Sequence, residues 1–404
     1  MKITGIIAEY NPYHNGHQYH VEQSRRHSGC DAIVAVMSGH FVQRGEPAVF
    51  DKWARAQMAL AGGVDAVFEL PAFYALQSAD WFAWGGVSVL DGLGCDCLCF
   101  GAESPDLALL RELACLWGNE PEELQTAIQM GLQSGKPHPK ARADALEQWL
   151  GHTGAMELLA SPNSVLGAMY LKQLGELKSS MVPLAIQRVH ADYHNEKISG
   201  AIASATAIRK SLAERSEGWR QAVPAGVAEI IDAQMEFDAG PVWPDDYSQA
   251  LLYALRTAEI LPDTAEGLHN RMAKAAAAAG TFSTFCAAAK SKRYTMARIK
   301  RAAMQAMLGI TEHNISLIRR EKPIYARLLG YSKRVEGLIG ELARRARIPF
   351  VARAAEFKPE TEALARLWEI DRRASDIYGL GIKNPALRQA KRDYTEKMII
   401  LESS

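Results

Sequence analysis

The chain has 404 residues and a formal net charge of zero, with 48% hydrophobic and 23% charged residues, the balance of a soluble globular protein with room for two or three cores. No run approaches the roughly 18 apolar residues of a membrane span, and MKITGIIAEYNP lacks the apolar stretch and cleavage site of a signal peptide, so neither a membrane-spanning nor a secreted protein is expected. Six cysteines suit free thiols in a reducing, cytoplasmic compartment rather than a disulfide framework.

The first half alternates. ITGIIA (3–8) reads as a strand, followed by a helix from about Asn15 to Arg26. DAIVAVMS (31–38) is a second strand, then a Gly/Pro-punctuated loop and the helix pattern DKWARAQMALA. VDAVFEL (64–70), CDCLCFG (95–101) and MVPLAIQRV (181–189) are further strands, with a helix from about Phe73 to Leu90 between the first two. Short apolar runs separated by helices predict a parallel sheet covered on both faces, a doubly wound α/β domain that binds ligands at the carboxyl ends of its strands. Cys95, Cys97 and Cys99 alternate and are expected on one buried face of their strand, as core rather than as metal ligands.

Residues 105–180 read as a helical insertion, which completes an N-terminal unit over 1–215. Gly, Pro and Asp enrichment places a linker at 216–247. Residues 248–404 read as mainly helical, with a strand such as IPFVARA interrupting. The charge is uneven across this boundary. Residues 1–250 hold 18 Lys and Arg against 30 Asp and Glu, whereas residues 251–404 hold 28 against 16. The basic excess, between Lys290 and Arg347, suits either a polyanionic partner or a solvated surface.

The chemistry gathers at strand ends. EYNPYHNGHQYH (9–20) puts a loop and a helix N-terminus after the first strand, where unpaired N–H groups and the helix dipole favour an anion. Gly16 lets a phosphate approach the backbone, and His14 and His17 stand one turn apart on the same side. His20 is rotated roughly 120° from that side, so three histidines here make a poor metal site. IASATAIRK (202–210), after the last strand of the unit, adds Ser204 as a helix N-cap, Thr206 in the first turn and Arg209 on the next, groups that grip polyphosphate.

HNGH with SATAIR resembles the HxGH nucleotidyltransferase superfamily, whose members attack the α-phosphate of ATP and release pyrophosphate. Ala203 stands where that family usually has Ile-Ser, and the hydroxyls are spread over Ser204-Ala205-Thr206. The longer stretches MSGHFVQRGEPAVFDKWARAQMAL, VFELP, FGAES, SPNSVLGAMYL and SKRYTMARIKRA, with EYNPYHNGHQYH, resemble the bacterial tRNA(Met) cytidine acetate ligases from Ile3 to beyond Arg334. The resemblance implies activation of acetate by ATP to acetyl-adenylate, then acetylation of N4 of the wobble cytidine of elongator tRNA(Met).

It further implies His14 and His17 as the catalytic pair. The implied ATP set is Ile7, Ala8, Glu9, Tyr10, Asn11, Pro12, Tyr13, Asn15, Gly16, Gln18, Tyr19 and His20, joined by Gly101, Asn163, Arg188, Ser204, Thr206 and Arg209. On the residues alone, a strand-closing Gly101 is more often only a turn, Asn163 reads as an ordinary helix-start residue, and Arg188 is equally a surface charge. Mg²⁺ is expected with the triphosphate. The long loop GHFVQRGEPAVFDKW makes Arg44 a candidate for pyrophosphate or tRNA. KSKRYTMARIKR offers Lys290, Lys292, Arg293, Arg298, Lys300 and Arg301 for phosphates, with Tyr294 for base stacking. RREKPIYARLLGYSKR (319–334) is a second basic helical surface. No protein partner is implied. A small-molecule adenylyltransferase, or a non-catalytic nucleotide-sensing tRNA-binding protein, would share the HNGH site.

Overall fold

The computed structural model describes residues 1–118, 121–136, 138–150, 161–188, 198, 200–258, 261, 264 and 267–402. Its central sheet runs through β1 (Ile3–Ala8), β2 (Ala32–Ser38), β5 (Ala66–Leu70), β6 (Cys97–Ala102), β7 (Val182–Gln187), β8 (Ala326–Ser332), β9 (Phe350–Val351) and β10 (Ile399–Leu401). The strand order is β10-β8-β5-β2-β1-β6-β7, with β9 also on β8. All these pairings are parallel except β5 with β8. A hairpin of two two-residue strands, β3 (Phe41–Val42) and β4 (Glu46–Pro47), stands apart from it.

Both faces of the sheet are covered, as the apolar strands predict. Along β2, Val34 and Val36 pack into one core cluster while Ile33, Ala35 and Met37 pack into the other, the period-2 alternation of a strand buried on both sides. Helices α1 (Asn15–Ser28) and α2 (Lys52–Ala61) lie on the second face. On the first lie α3 (Ala72–Ala75) and α4 (Ala79–Gly92), the short and long halves of what the sequence reads as one helix. Helices Leu107–Gly118, Glu122–Gln133, His138–Leu150 and Pro162–Glu176 form the insertion before β7. No helix among the described residues is long and apolar enough to cross a membrane.

Three features differ from the sequence reading. The expected linker is folded: Ala225–Glu236 is a helix, and Trp219, Val227 and Ile231 are buried in the α2-side core. Several of its Gly and Pro residues belong to helices: Pro224 precedes Ala225–Glu236, Gly226 lies inside it, and Gly218 and Pro244 sit in short 3-10 turns. The run ARLLGYS, expected on a basic helix, is strand β8. Leu328 faces one core cluster and Leu329 the other, and an apolar run buried on both faces has no periodicity to separate strand from helix. Cys95 and Cys99 face opposite clusters, because β6 begins only at Cys97 and the alternation does not reach back to Cys95. Val189, expected to end β7, and Glu259 and Ile260, expected to end a helix, lie outside the described residues.

A buried charge cluster joins the C-terminal part to the sheet. Lys52 Nζ lies 2.8 Å from both Glu69 and Asp393, and Arg327 lies 2.8 Å from Asp393 and 3.2 Å from Glu69. Two cations and two anions, all buried, balance one another. Removing one partner leaves an uncompensated charge in the core. Lys52→Met is therefore expected to lose about 3–5 kcal/mol, seen as a lower urea midpoint at unchanged m-value. An unchanged midpoint would show that water reaches the cluster and screens it.

Candidate active site

Strand β1 ends at Ala8, and the loop that follows is held from several sides. The buried Arg55 donates to the carbonyl oxygens of Glu9 (2.7 Å), Ser38 (3.0 Å) and Phe50 (3.0 Å), and to that of Gly39. Asn11 Oδ1 accepts the Val49 N–H at 2.7 Å, and the Asn11 carbonyl accepts Arg209 Nη1 at 2.8 Å. Tyr10 takes a left-handed backbone, φ 46°, a conformation that a bulky residue adopts only where its surroundings impose it.

His14 then caps α1. Its Nδ1 accepts the Gly16 N–H at 3.1 Å, and its own N–H donates to His17 Nδ1 at 3.2 Å, a capping box built from two imidazoles. The rings stack with centroids 3.7 Å apart. Gly16 is required here because a Cβ would stand 2.9 Å from the His14 ring.

The chemistry follows from the caps. Backbone N–H groups only donate, so both Nδ1 atoms are acceptors, and each neutral ring carries its proton on Nε2. Burial, then the charges of Arg188 and Arg209, push His14 down to about 3. Burial and the His14 ring push His17 well below the ordinary value. The pair is thus two uncharged N–H donors.

They open on a cavity of about 450 Å³ at the carboxyl edge of β1, β6 and β7. Ile7, Ala8, Glu9, Tyr10, Asn11, Gly16, Tyr19 and His20 line it beside the pair. Across it, Ser204 caps the helix Ala205–Ala213 by accepting the Ala207 N–H at 3.1 Å, and Arg209 Nη2 reaches Thr206 Oγ1 at 3.2 Å. A third wall carries Gly101, Asn163 and Arg188. Glu103 organises it, taking Asn163 Nδ2 at 2.6 Å and the Ser164 N–H and Oγ at 3.0 and 2.9 Å, and these bonds hold its carboxyl below the ordinary value against burial. Arg188 Nη1 meets Asn163 Oδ1 at 3.4 Å.

Some expected residues lie elsewhere. Pro12, Tyr13, Asn15 and Gln18 are not on the cavity wall. Tyr13 Oη donates to the Gly62 carbonyl, Asn15 Nδ2 donates to the Ala201 and Gln221 carbonyls, and Gln18 lines a separate cleft. The rotation that removes His20 from the histidine pair still leaves it on the wall, with Nε2 toward Cys99 Sγ at 3.9 Å. Arg44 and Arg301, expected among tRNA contacts, line this same cavity. The helix Met296–Met307 brings Arg301 there, with Arg301 Nη1 3.4 Å from the Gln43 carbonyl and Lys300 paired with Glu46. Gly45 (φ 76°) permits that contact, since a Cβ would lie 2.4 Å from the Arg301 nitrogen. Tyr294 is buried, with Arg293 and Arg298 at 5.7 and 5.9 Å from its ring, so the stacking role expected of it does not fit. Lys290, Lys292 and Arg293 are exposed.

Sequence reasoning missed Arg55 and the apolar wall of Phe82, Phe100, Leu166 and Tyr170. For Arg55 a signal existed: it shares the helix stripe of Lys52 and Ala59, a cation on the buried face.

At pH 6, ¹⁵N NMR is expected to find His14 and His17 neutral and protonated at Nε2, and imidazolium signals would contradict the capping geometry. Stability follows in sign. Burial first, and Arg188 next, lower His20 to about 4, so below its unfolded value near 6.5 the unfolded chain takes up a proton that the native state refuses. This term is fully favourable above pH 6.5 and shrinks by up to about 1.4 kcal/mol per pH unit below it. His20→Asn should flatten the fall of the urea midpoint between pH 6.5 and 5.

The family model described as HIGH Nucleotidyl Transferase matches residues 1–393. A tRNA(Met) cytidine acetate ligase of Acetivibrio thermocellus is 37% identical over 415 residues, spanning 99% of this chain and 100% of that protein. One of Caldanaerobacter subterraneus subsp. tengcongensis is 39% identical over 406 residues, with 99% and 100% covered. Among solved structures, Thermotoga maritima TmcAL in its apo form superposes with a TM-score of 0.93 at 31% identity, and TmcAL bound with alpha-thio ATP with 0.91 at 31%, each over 100% of both chains. A full-length match of sequence and fold around a histidine-capped strand-to-helix turn leaves one assignment: the chain belongs to the HIGH nucleotidyl transferases and, among them, to the tRNA(Met) cytidine acetate ligases.

Proposed function

We propose that this protein activates acetate with ATP and transfers the acetyl group to N4 of the wobble cytidine of elongator tRNA(Met). The observation that carries the reading is the convergence of two neutral Nε2–H donors, the Ser204-capped helix start and Arg209 on one cavity. Adenosine would lie toward Gly101, Asn163 and Arg188, with the phosphates toward His14, His17, Ser204, Thr206 and Arg209. Acetate attacks the α-phosphorus and pyrophosphate departs. Charge building on the phosphate oxygens meets donors already in place, in a site where water competes poorly, and catalysis is electrostatic positioning without a covalent enzyme intermediate. Uncharged imidazoles suit this, because they donate without first having to lose or gain a proton.

Mg²⁺ is expected with the triphosphate. Among the described residues the cavity's carboxylates are Glu9, Glu46 and Glu103, and two of them are committed to Lys300 and to Asn163 and Ser164. That donor set fits an ion carried by phosphate oxygens and water, supplying neutralisation of phosphate charge.

The acceptor is expected beside the exposed Lys290, Lys292 and Arg293. These cations precede the helix whose Ala297 and Arg301 line the cavity, so a bound phosphate backbone would run past its mouth. The wobble base sits in a single-stranded loop and can be splayed into a pocket.

Acetate-dependent ATP–pyrophosphate exchange, followed by incubation with labelled acetate and total tRNA and nucleoside analysis, tests both steps. Exchange without acetate dependence would favour a small-molecule adenylyltransferase, and no exchange at all a binding protein. His14→Ala is expected to lower exchange by about 10²–10³ while leaving tRNA affinity nearly intact. Arg293→Ala should spare exchange, weaken tRNA binding and reduce its salt slope by about 1.

A further inference from the structure

Acylation of an exocyclic amine needs somewhere to put a proton, and the pair that serves phosphate cannot take it. His14 and His17 spend both Nδ1 lone pairs on backbone N–H groups and carry protons on Nε2. His20 turns Nε2 toward Cys99. Glu103 already accepts three hydrogen bonds, and Glu46 is paired with Lys300.

Glu9 is different. It is the first residue beyond β1, half-buried on the cavity wall, with its backbone carbonyl anchored by Arg55 and its Oε1 fixed by the Gln43 N–H at 2.7 Å. Its Oε2 makes no hydrogen bond among the described residues. Burial raises its pKa above the ordinary carboxyl value, even though the Gln43 N–H and the charges of Arg44, Arg209 and Arg55 work the other way. Tyr170 faces it from the apolar wall. A desolvated carboxylate with one oxygen anchored and the other uncommitted is a stronger base than a solvated one.

We propose that Glu9 is the proton acceptor of the acetyl-transfer step. The cytosine N4 attacks the carbonyl carbon of acetyl-adenylate. A C–N bond forms, the bond from that carbon to the phosphate oxygen breaks, AMP leaves with the electron pair, and one N4 proton passes to Glu9 Oε2 and then to water. This rests on the ligase reading above.

Glu9→Gln keeps an acceptor for the Gln43 N–H and removes the base. Wild-type and variant protein are compared in acetate-dependent exchange and in single-turnover transfer from enzyme-formed acetyl-adenylate to tRNA. We expect transfer to fall about 10²-fold or more, and by a clearly larger factor than exchange does. The wild-type transfer rate should decline with acidification through a pKa above the ordinary carboxyl value. That limb should be absent in Glu9→Gln, and Glu9→Asp should recover part of the rate. Equal loss in both steps would make Glu9 a nucleotide or Mg²⁺ contact and overturn the proposal. Undiminished transfer would also overturn it, assigning the proton to the departing phosphate. Wild-type protein that exchanges but never acetylates tRNA would overturn the ligase reading, and the proposal with it.

Discussion

One buried guanidinium organises the functional edge of this sheet. Arg55, from α2, donates to backbone carbonyls at the ends of β1 and β2 and at the entry to its own helix. The carbonyls of Glu9, Ser38 and Gly39 sit where strands stop and their ladder partners run out, so they would otherwise lack donors. Burial lowers the Arg55 pKa to about 10, still far above neutrality, and the charge persists. With the loop after β1 held in this way, Tyr10 can be kept in a left-handed conformation and His14 delivered to the cap of α1. The cavity inherits its shape from that delivery.

The imidazole pair shows how a structural duty sets a chemical one. Capping fixes the tautomer, burial fixes the charge, and stacking fixes the direction. Each ring is left with one outward N–H. Arg188 and Arg209 supply positive charge nearby and further disfavour imidazolium. A site composed this way presents cationic arginines and neutral donors together, which separates long-range attraction from short-range hydrogen bonding.

The C-terminal part joins the rest of the fold at two places, one of them the cavity wall and the other the far edge of the sheet. Helix Met296–Met307 inserts Arg301 beside the β3–β4 hairpin, where only a glycine at position 45 lets the backbones approach. Strands β8 and β10 extend the sheet beyond β5, and the Lys52–Glu69–Arg327–Asp393 cluster ties that junction. Charge segregation along the chain suggests a separate basic unit. The fold sets part of that basic segment, Arg301, against the cavity and leaves Lys290, Lys292 and Arg293 outward.

How much was legible depended on how local the cause was. Strands β1, β2 and β5 and helices α1 and α2 follow from apolar runs and their punctuation, and Ser204 as a cap follows from its place before a helical pattern. His14 and His17 could be assigned to an anion site because a strand end, a glycine and a helix start lie within a few residues. The sequence by itself therefore determined the sheet's centre and the two helix starts that face the cavity. Tertiary structure decided what depends on distant partners: β8 as a strand, the burial of Tyr294, the entry of Arg301 into the cavity, and a Glu9 carboxylate oxygen with no hydrogen bond among the described residues. Each of these is set by which surfaces meet in space. Local pattern carries propensity, but burial and proton affinity are properties of an environment that exists only once the chain has closed around it.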